Sequence, residues 1–256
     1  MSLVSDYPFD FGNPLPLGYV PPQDGLDLLL YHIYKAGHQK WGFAIFRCTY
    51  GDDAAWLSFV QILKDAAHAS LEFYGREWIE PHHELTVIEN REKLDGASKD
   101  KVRKCFKEWV AEAVKTGDSQ GPKAKQGPDG ILPCTARYQY CIYVDQESLG
   151  SVLRVNDPSN QQPITPYVVI IRLDWSLPDL ENFDWEDEGL DPEEDDPLDE
   201  GCPPVEGCKL KDVGWMKALP RKIVILYQSL HDNGWYTSYL RPPGVLGVEQ
   251  LGSVLE

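Results

Sequence analysis

Arg47, Arg137, Arg172 and Arg241 each fall in or at the end of a segment whose residue pattern reads as a β-strand. Three of them share a strand face with aromatic residues, because side chains an even number of positions apart point the same way: Arg47 with Trp41, Arg137 with Tyr143, and Arg241 with Trp235 and Tyr239. Were those strands neighbours, guanidinium forks and aromatic rings would converge on the uncovered face of a sheet. A guanidinium grips a carboxylate or phosphate through two parallel N–H bonds. The chemistry implied is binding of a small anion or a protein partner by Arg47, Arg137, Arg172, Arg241, Trp235 and Tyr239. The competing expectation is structural, with Asp145 and Asp174 pairing with the arginines across strands on a solvated face.

A second group of residues suits acid/base work. PHHELT, residues 81–86, sets His82 and His83 beside Glu84, and either imidazole titrates near neutral pH. Consecutive residues on a strand face opposite ways, so the two histidines are poorly placed to hold one metal, and a surface loop is the plainer expectation. Tyr143, Asp145 and Asp174 complete the set of catalytic candidates. The sequence has no Gly-x-Gly-x-x-Gly, no phosphate loop, no His-Glu-x-x-His and no Gly-x-Ser-x-Gly elbow, which argues against the familiar nucleotide enzymes, metalloproteases and hydrolases. Asp191, Glu193 and Asp195 imitate the start of an EF-hand, but Asp196 stands where that loop needs glycine and Cys202 where it needs its last glutamate. No metal site or cofactor is expected. The six cysteines form no Cys-x-x-Cys pair and are expected as free thiols, with Cys202 and Cys208 able to close a short loop in an oxidising compartment.

Charge sharpens the choice of partner. The formal net charge is −17, and FDWEDEGLDPEEDDPLDEG, residues 183–201, alone holds eleven acidic side chains and no basic one. The remainder is only mildly acidic, yet no basic stripe appears, so a nucleic-acid partner is not expected. KDKVRKCFK, residues 99–107, is the single basic concentration, and an exposed helix face accounts for it. No run of eighteen apolar residues suggests a membrane span, and the N-terminus lacks the basic and apolar regions of a secretory signal. The expectation is an intracellular, cytoplasmic protein.

The elements that must position these residues follow from periodicity. WGFAIFRCTY, LTVIE, RYQYCIYVD and YVVIIRLDW read as strands. Asp52 and Ser98 are placed to cap two helices, the first carrying Trp56, Phe59, Val60, Leu63, Ala67 and Phe73, the second Val102, Cys105, Phe106, Trp109, Val110, Ala113 and Val114. QESLGSVLR reads as a short helix and WYTSYLRPP as a closing strand; KIVILYQSL lies between the two, its β-branched run favouring strand and the spacing of Leu219, Ile223, Leu226, Tyr227 and Leu230 fitting a helix, which the turn and strand that follow it favour. Alternation of wet and dry faces favours an α+β fold, a mixed or antiparallel sheet with helices mainly on one face, for which a ferredoxin-like arrangement is one candidate and an α/β sandwich the alternative. The expected organisation is an arm over 1–40, one domain over 41–244 with an exposed loop at 116–133 and an acidic insertion at 178–207, and a tail over 245–256.

Taken together and in order, WGFAIFRCTYGDDAAW, LDGASKDKVRKCFKEW, YQYCIYVD, GCKLKDVGWMK and WYTSYLRPPG resemble a widespread family of proteins from filamentous fungi with no established activity. The resemblance runs from about Trp41 to Gly244. It implies a fungal source, a single-domain unit and a charged insertion, and it assigns no site residue. The functional expectation is a binding or interaction protein with an anion-binding Arg/aromatic sheet face; the alternative is a metal-independent small-molecule enzyme, of the kind found in fungal secondary metabolism.

Overall fold

The computed structural model describes residues 25–35, 40–116, 136–156, 163–191, 194–231 and 234–248. Nearly all of the connection expected at 116–133 lies outside the described residues, as does much of the arm and tail. In chain order the elements are α1 (Gly25–Lys35), β1 (Ala44–Arg47), α2 (Asp53–Phe73), β2 (Thr86–Ile88), α3 (Arg91–Leu94), α4 (Lys99–Thr116), α5 (Ala136–Gln139), β3 (Tyr140–Val144), α6 (Gln146–Leu153), β4 (Val168–Arg172), α7 (Trp185–Glu188), β5 (Trp215–Ala218), α8 (Ile223–His231), α9 (Trp235–Ser238) and β6 (Val245–Leu246). Short 3-10 turns lie at Glu77–His82, Arg154–Asn156 and Pro220–Lys222.

The fold is α+β, built on one mixed six-stranded sheet in the order β2-β1-β3-β4-β5-β6. β1 runs parallel to β2 and to β3, β3 is antiparallel to β4, β4 antiparallel to β5, and β5 parallel to β6. Those parallel pairs and that strand order set the sheet apart from a ferredoxin-like one.

Residue spacing explains which helix covers which face. Asp52 caps α2 as expected, its Oδ1 accepting from the Ala55 N–H at 2.9 Å. Trp56, Phe59, Val60, Leu63, Ala67 and Leu71 are buried on the sheet side of α2. Phe73 is 82% exposed instead of completing that stripe, because six residues beyond Ala67 is well off the face that Leu71, four beyond, continues. α1, α2, α6, α8 and α9 share one core with Ile45, Ile142, Ile170 and Met216. Leu94 of α3 and Val102 and Phe106 of α4 pack on the other face, against Phe46, Cys141, Tyr143, Ile171 and Trp215.

More helices sit on one face, but neither face is bare. That corrects the expected half-buried β3, all five residues of which are buried. The polar residues that suggested a wet face lie outside the strand: Arg137 and Gln139 in α5, Asp145 at the start of α6. KIVILYQSL forms α8 as expected, whereas the expected closing strand WYTSYL begins as α9, and the last two strands are WMKA and Val245–Leu246, the latter inside the expected tail. Among the described residues no helix is long and apolar enough to cross a membrane.

Candidate functional site

The four arginines do not meet. Arg47 lies at the end of β1 opposite Val144, whereas Arg172 pairs with Tyr140 at the start of β3, so the two occupy opposite ends of the sheet. The Arg47 guanidinium pairs with Asp53 and Glu89, donates to the Thr49 carbonyl and lies 4.5 Å from the Tyr50 ring centroid. Arg137, 1% exposed, donates to the carbonyls of Gly42 and Glu84 and to Thr86 Oγ1, tying the entries of β1 and β2 to α5. Arg241 donates to the carbonyls of Leu210 and Cys208. Each guanidinium is committed to a local anchor, and the uncovered sheet face needed for their convergence is filled by α4.

Three of the expected ligand residues do gather, around Arg172. Its guanidinium takes Asp174 in a bidentate pair at 2.6 and 3.0 Å, reaches Asp212 Oδ2 at 3.5 Å and donates to Tyr236 Oη at 3.0 Å. Trp235 stacks on Tyr140 with centroids 5.5 Å apart and donates its indole N–H to Asp212 at 2.8 Å. Tyr239 tilts against Trp235 and accepts from the Val213 N–H. The Arg172 hydrogen bond holds the Asp174 carboxyl below its usual range against the opposing effect of burial, with a smaller contribution from Lys107. These groups satisfy one another.

The remaining catalytic candidates are dispersed. Tyr143 donates its hydroxyl to the Ala97 carbonyl at 3.0 Å, and burial raises its pKa. Asp145 caps α6, accepting from the N–H and the hydroxyl of Ser148. His83 packs on Trp41 with centroids 4.4 Å apart, and burial lowers its pKa to about 4, leaving a weak base at neutral pH. His82 ends the 3-10 turn, its carbonyl accepting from the Trp41 N–H. No two of His82, His83, Tyr143, Asp145 and Asp174 are joined by a hydrogen bond in the arrangement an acid/base pair requires. Cys48, Cys105, Cys141, Cys202 and Cys208 are free thiols, and no metal-holding group of His, Cys, Asp or Glu occurs among the described residues.

The site that does form is a cleft of about 640 Å³ along the first three turns of α4, within the size range of small-molecule pockets. Its cationic wall is Lys99, Arg103, Lys104 and Lys107; Trp175, Val213 and Trp215 line another side, and Leu198 and Val205–Cys208 form the rim. The sequence builds this wall simply. Ser98 caps α4 through a 3.3 Å bond to the Lys101 N–H, Val102 and Phe106 turn to the sheet, and residues 99, 103 and 107 recur every four positions on the flank that is left. Burying Phe106 stabilises this packing by roughly 2–3 kcal/mol.

The four cations differ in role. Arg103 is 6% exposed and clamps α4 to two strand ends, donating to the carbonyls of Arg172 and Gly214 at 2.9 and 3.3 Å, while pairing with Asp100 and lying 4.9 Å from the Trp175 ring centroid. Lys99 places its Nζ 4.2 Å from the Trp215 ring centroid and 5.2 Å from that of Tyr143, and pairs with Glu206 at 2.5 Å. Lys104 and Lys107 are exposed and have no ion-pair partner among the described residues.

The acidic insertion forms the cleft's rim, although many of its carboxylates are used locally. Asp184, Asp195, Asp196 and Asp199 accept from backbone N–H groups of the insertion itself, Glu200 accepts from the Lys211 N–H, and Asp199 pairs with Lys209. Sequence reasoning assigned Lys99–Lys107 to a solvated helix face and missed this cleft. The four-residue spacing of its cations was visible, but the segments that wall it are brought in from 70 to 110 positions away. No family model matches the chain, and comparison with curated proteins and with solved structures gave no match either.

Proposed function

We propose that this chain is a non-catalytic binding protein for a small organic anion, seated in the α4 cleft with its charged group on the lysines and its planar or apolar body against Trp175 and Trp215. The observation that carries the reading is that Lys104 and Lys107, both without ion-pair partners among the described residues, share a 640 Å³ cleft with two indole rings. Charge and cavity coincide there, which is the combination that fixes an anion's position and orientation. The anion-binding surface expected on the sheet is thereby moved to the flank of α4.

The test is fluorescence titration of the full chain with phenyl phosphate and phenylacetate, using Trp175 and Trp215 as reporters. Binding that weakens with added salt and falls at least tenfold in the Lys104→Ala, Lys107→Ala double variant supports the reading. Binding unchanged in that variant would overturn it.

A further inference from the structure

Glu206 is the one non-glycine residue with positive φ among the described residues, at +51°, and it sits at the rim of the cleft. The cause is a two-residue hairpin. Val205 and Cys208 exchange both backbone hydrogen bonds, at 2.9 and 3.0 Å, leaving Glu206 and Gly207 as the turn with φ of +51° and +85°. A turn of that geometry favours Asn-Gly or Asp-Gly, whose short polar side chains tolerate the left-handed region. Glutamate there is held at a cost of about 1 kcal/mol.

What the strained position secures is a carboxylate on Lys99. The Glu206 side chain is 59% exposed and the Lys99 side chain 13%, so the lysine is fixed on Trp215 while its partner stands in solvent. The hairpin's base is held independently, Arg241 donating to the carbonyls of Cys208 and Leu210. Rotation about the Glu206 side-chain bonds therefore takes its carboxylate off Lys99 without breaking the hairpin.

Resting on the reading of the cleft as an anion site, we infer that Glu206 is a built-in stand-in for the ligand's charged group, occupying Lys99 until the ligand displaces it. This deepens the ligand class. A carboxylate tethered by a two-residue turn competes at an effective concentration on the order of millimolar or above. A monocarboxylate ligand offers the same group from solution and loses that contest. A phosphomonoester carries about −1.5 to −2 charges and three acceptor oxygens, enough to engage Lys99 and a further lysine of the cleft together. The cleft thus selects phosphomonoesters with an aromatic body over the matching carboxylates.

The experiment compares phenyl phosphate and phenylacetate binding to the wild-type chain and to Glu206→Asn, which removes the charge while keeping a residue suited to the turn; its melting temperature should equal or exceed that of wild type. The expected result is that wild type prefers phenyl phosphate, and that Glu206→Asn binds both probes about tenfold more tightly, with the larger gain for phenylacetate. Glu194→Gln, an exposed acid of the same insertion away from the cleft, should leave both affinities unchanged. Unaltered affinity in Glu206→Asn, or an equal gain in Glu194→Gln, overturns this inference while leaving the anion site standing if the lysine double variant still loses binding. Absence of binding by both wild type and Glu206→Asn overturns the site and the stand-in together.

Discussion

Trp175 lies directly against Gly214: a Cβ added to Gly214 would come within 2.3 Å of the indole, and Gly214 has a φ of +72°. The close approach seats Trp175 in the cleft and leads the chain into β5, with the indole N–H donating to the Asp212 carbonyl at 3.1 Å. Gly214→Ala should therefore cost roughly 3 kcal/mol, from the left-handed backbone and the displaced ring together. Urea unfolding with an unchanged denaturant slope reads this out; a loss below about 1 kcal/mol would mean that the indole is loosely held.

Arg103 joins α4 to the ends of β4 and β5 through two carbonyls. Arg103→Ala removes those donors from a buried position and should destabilise the chain by about 2–4 kcal/mol. Arg103→Lys should recover less than half of that, since one ammonium does not span both carbonyls and lie over Trp175. An Arg103→Lys variant as stable as wild type would contradict the clamp.

His83 makes stability depend on pH. Its pKa is lowered in the folded chain from 6.5 to about 4, first by burial, then by the nearby Arg137 charge, against the opposing pull of Glu80. The neutral form is the one the fold accepts, so its contribution is complete above about pH 6.5 and is lost as pH falls toward 4. Because the ring is only half-buried, the loss should be roughly 2 kcal/mol. His68, raised by its hydrogen bond to Glu80, acts in the neighbouring window above pH 6.5, where its contribution is lost as pH rises. The difference in unfolding free energy between wild type and His83→Phe, followed from pH 7 to 4, isolates His83. Asp174, whose pKa lies below its ordinary 3.8, contributes only at lower pH. A pH-independent difference would show that the imidazole is solvated.

Arg172→Ala tests whether the arginine cluster is structural. Arg172 pairs with Asp174 and Asp212 and lies 5.2 Å from the Tyr236 ring centroid. Its side chain is partly exposed, so the loss should be about 1–2 kcal/mol, with phenyl phosphate affinity in the α4 cleft unchanged within twofold. A large loss of affinity with little loss of stability would place ligand contact at Arg172 instead.

How much of this was legible in the sequence differs by element. β1 to β4 were readable from their apolar runs and α2 and α4 from apolar spacing joined to the caps Asp52 and Ser98, whereas α8 carried both a β-branched run and a helical spacing, and only the turn after it favoured helix. β5 was not, since WMKA is four residues long and follows an acidic insertion that supplies no local strand signal. Trp235, Tyr236 and Thr237 favour strand locally, but the stack of Trp235 on Tyr140 and its bond to Asp212 hold that turn helical. The site was hidden for a similar reason. KDKVRKCFK showed its charge, but a cleft exists only where distant segments face that charge, and Trp175, Glu206 and Trp215 are far from it in sequence.

The packing of α1 bears on how the chain is made. Leu26, Leu29 and Ile33 fill the same core as Ile223, Leu226, Tyr227 and Leu230 of α8, close to the other end of the described chain. During translation at about 5–20 residues per second, some ten to forty seconds separate the synthesis of these two helices. For that interval the apolar side of α1 has no α8 to cover it, and the nascent chain carries Leu26, Leu29 and Ile33 without their partners until α8 has emerged.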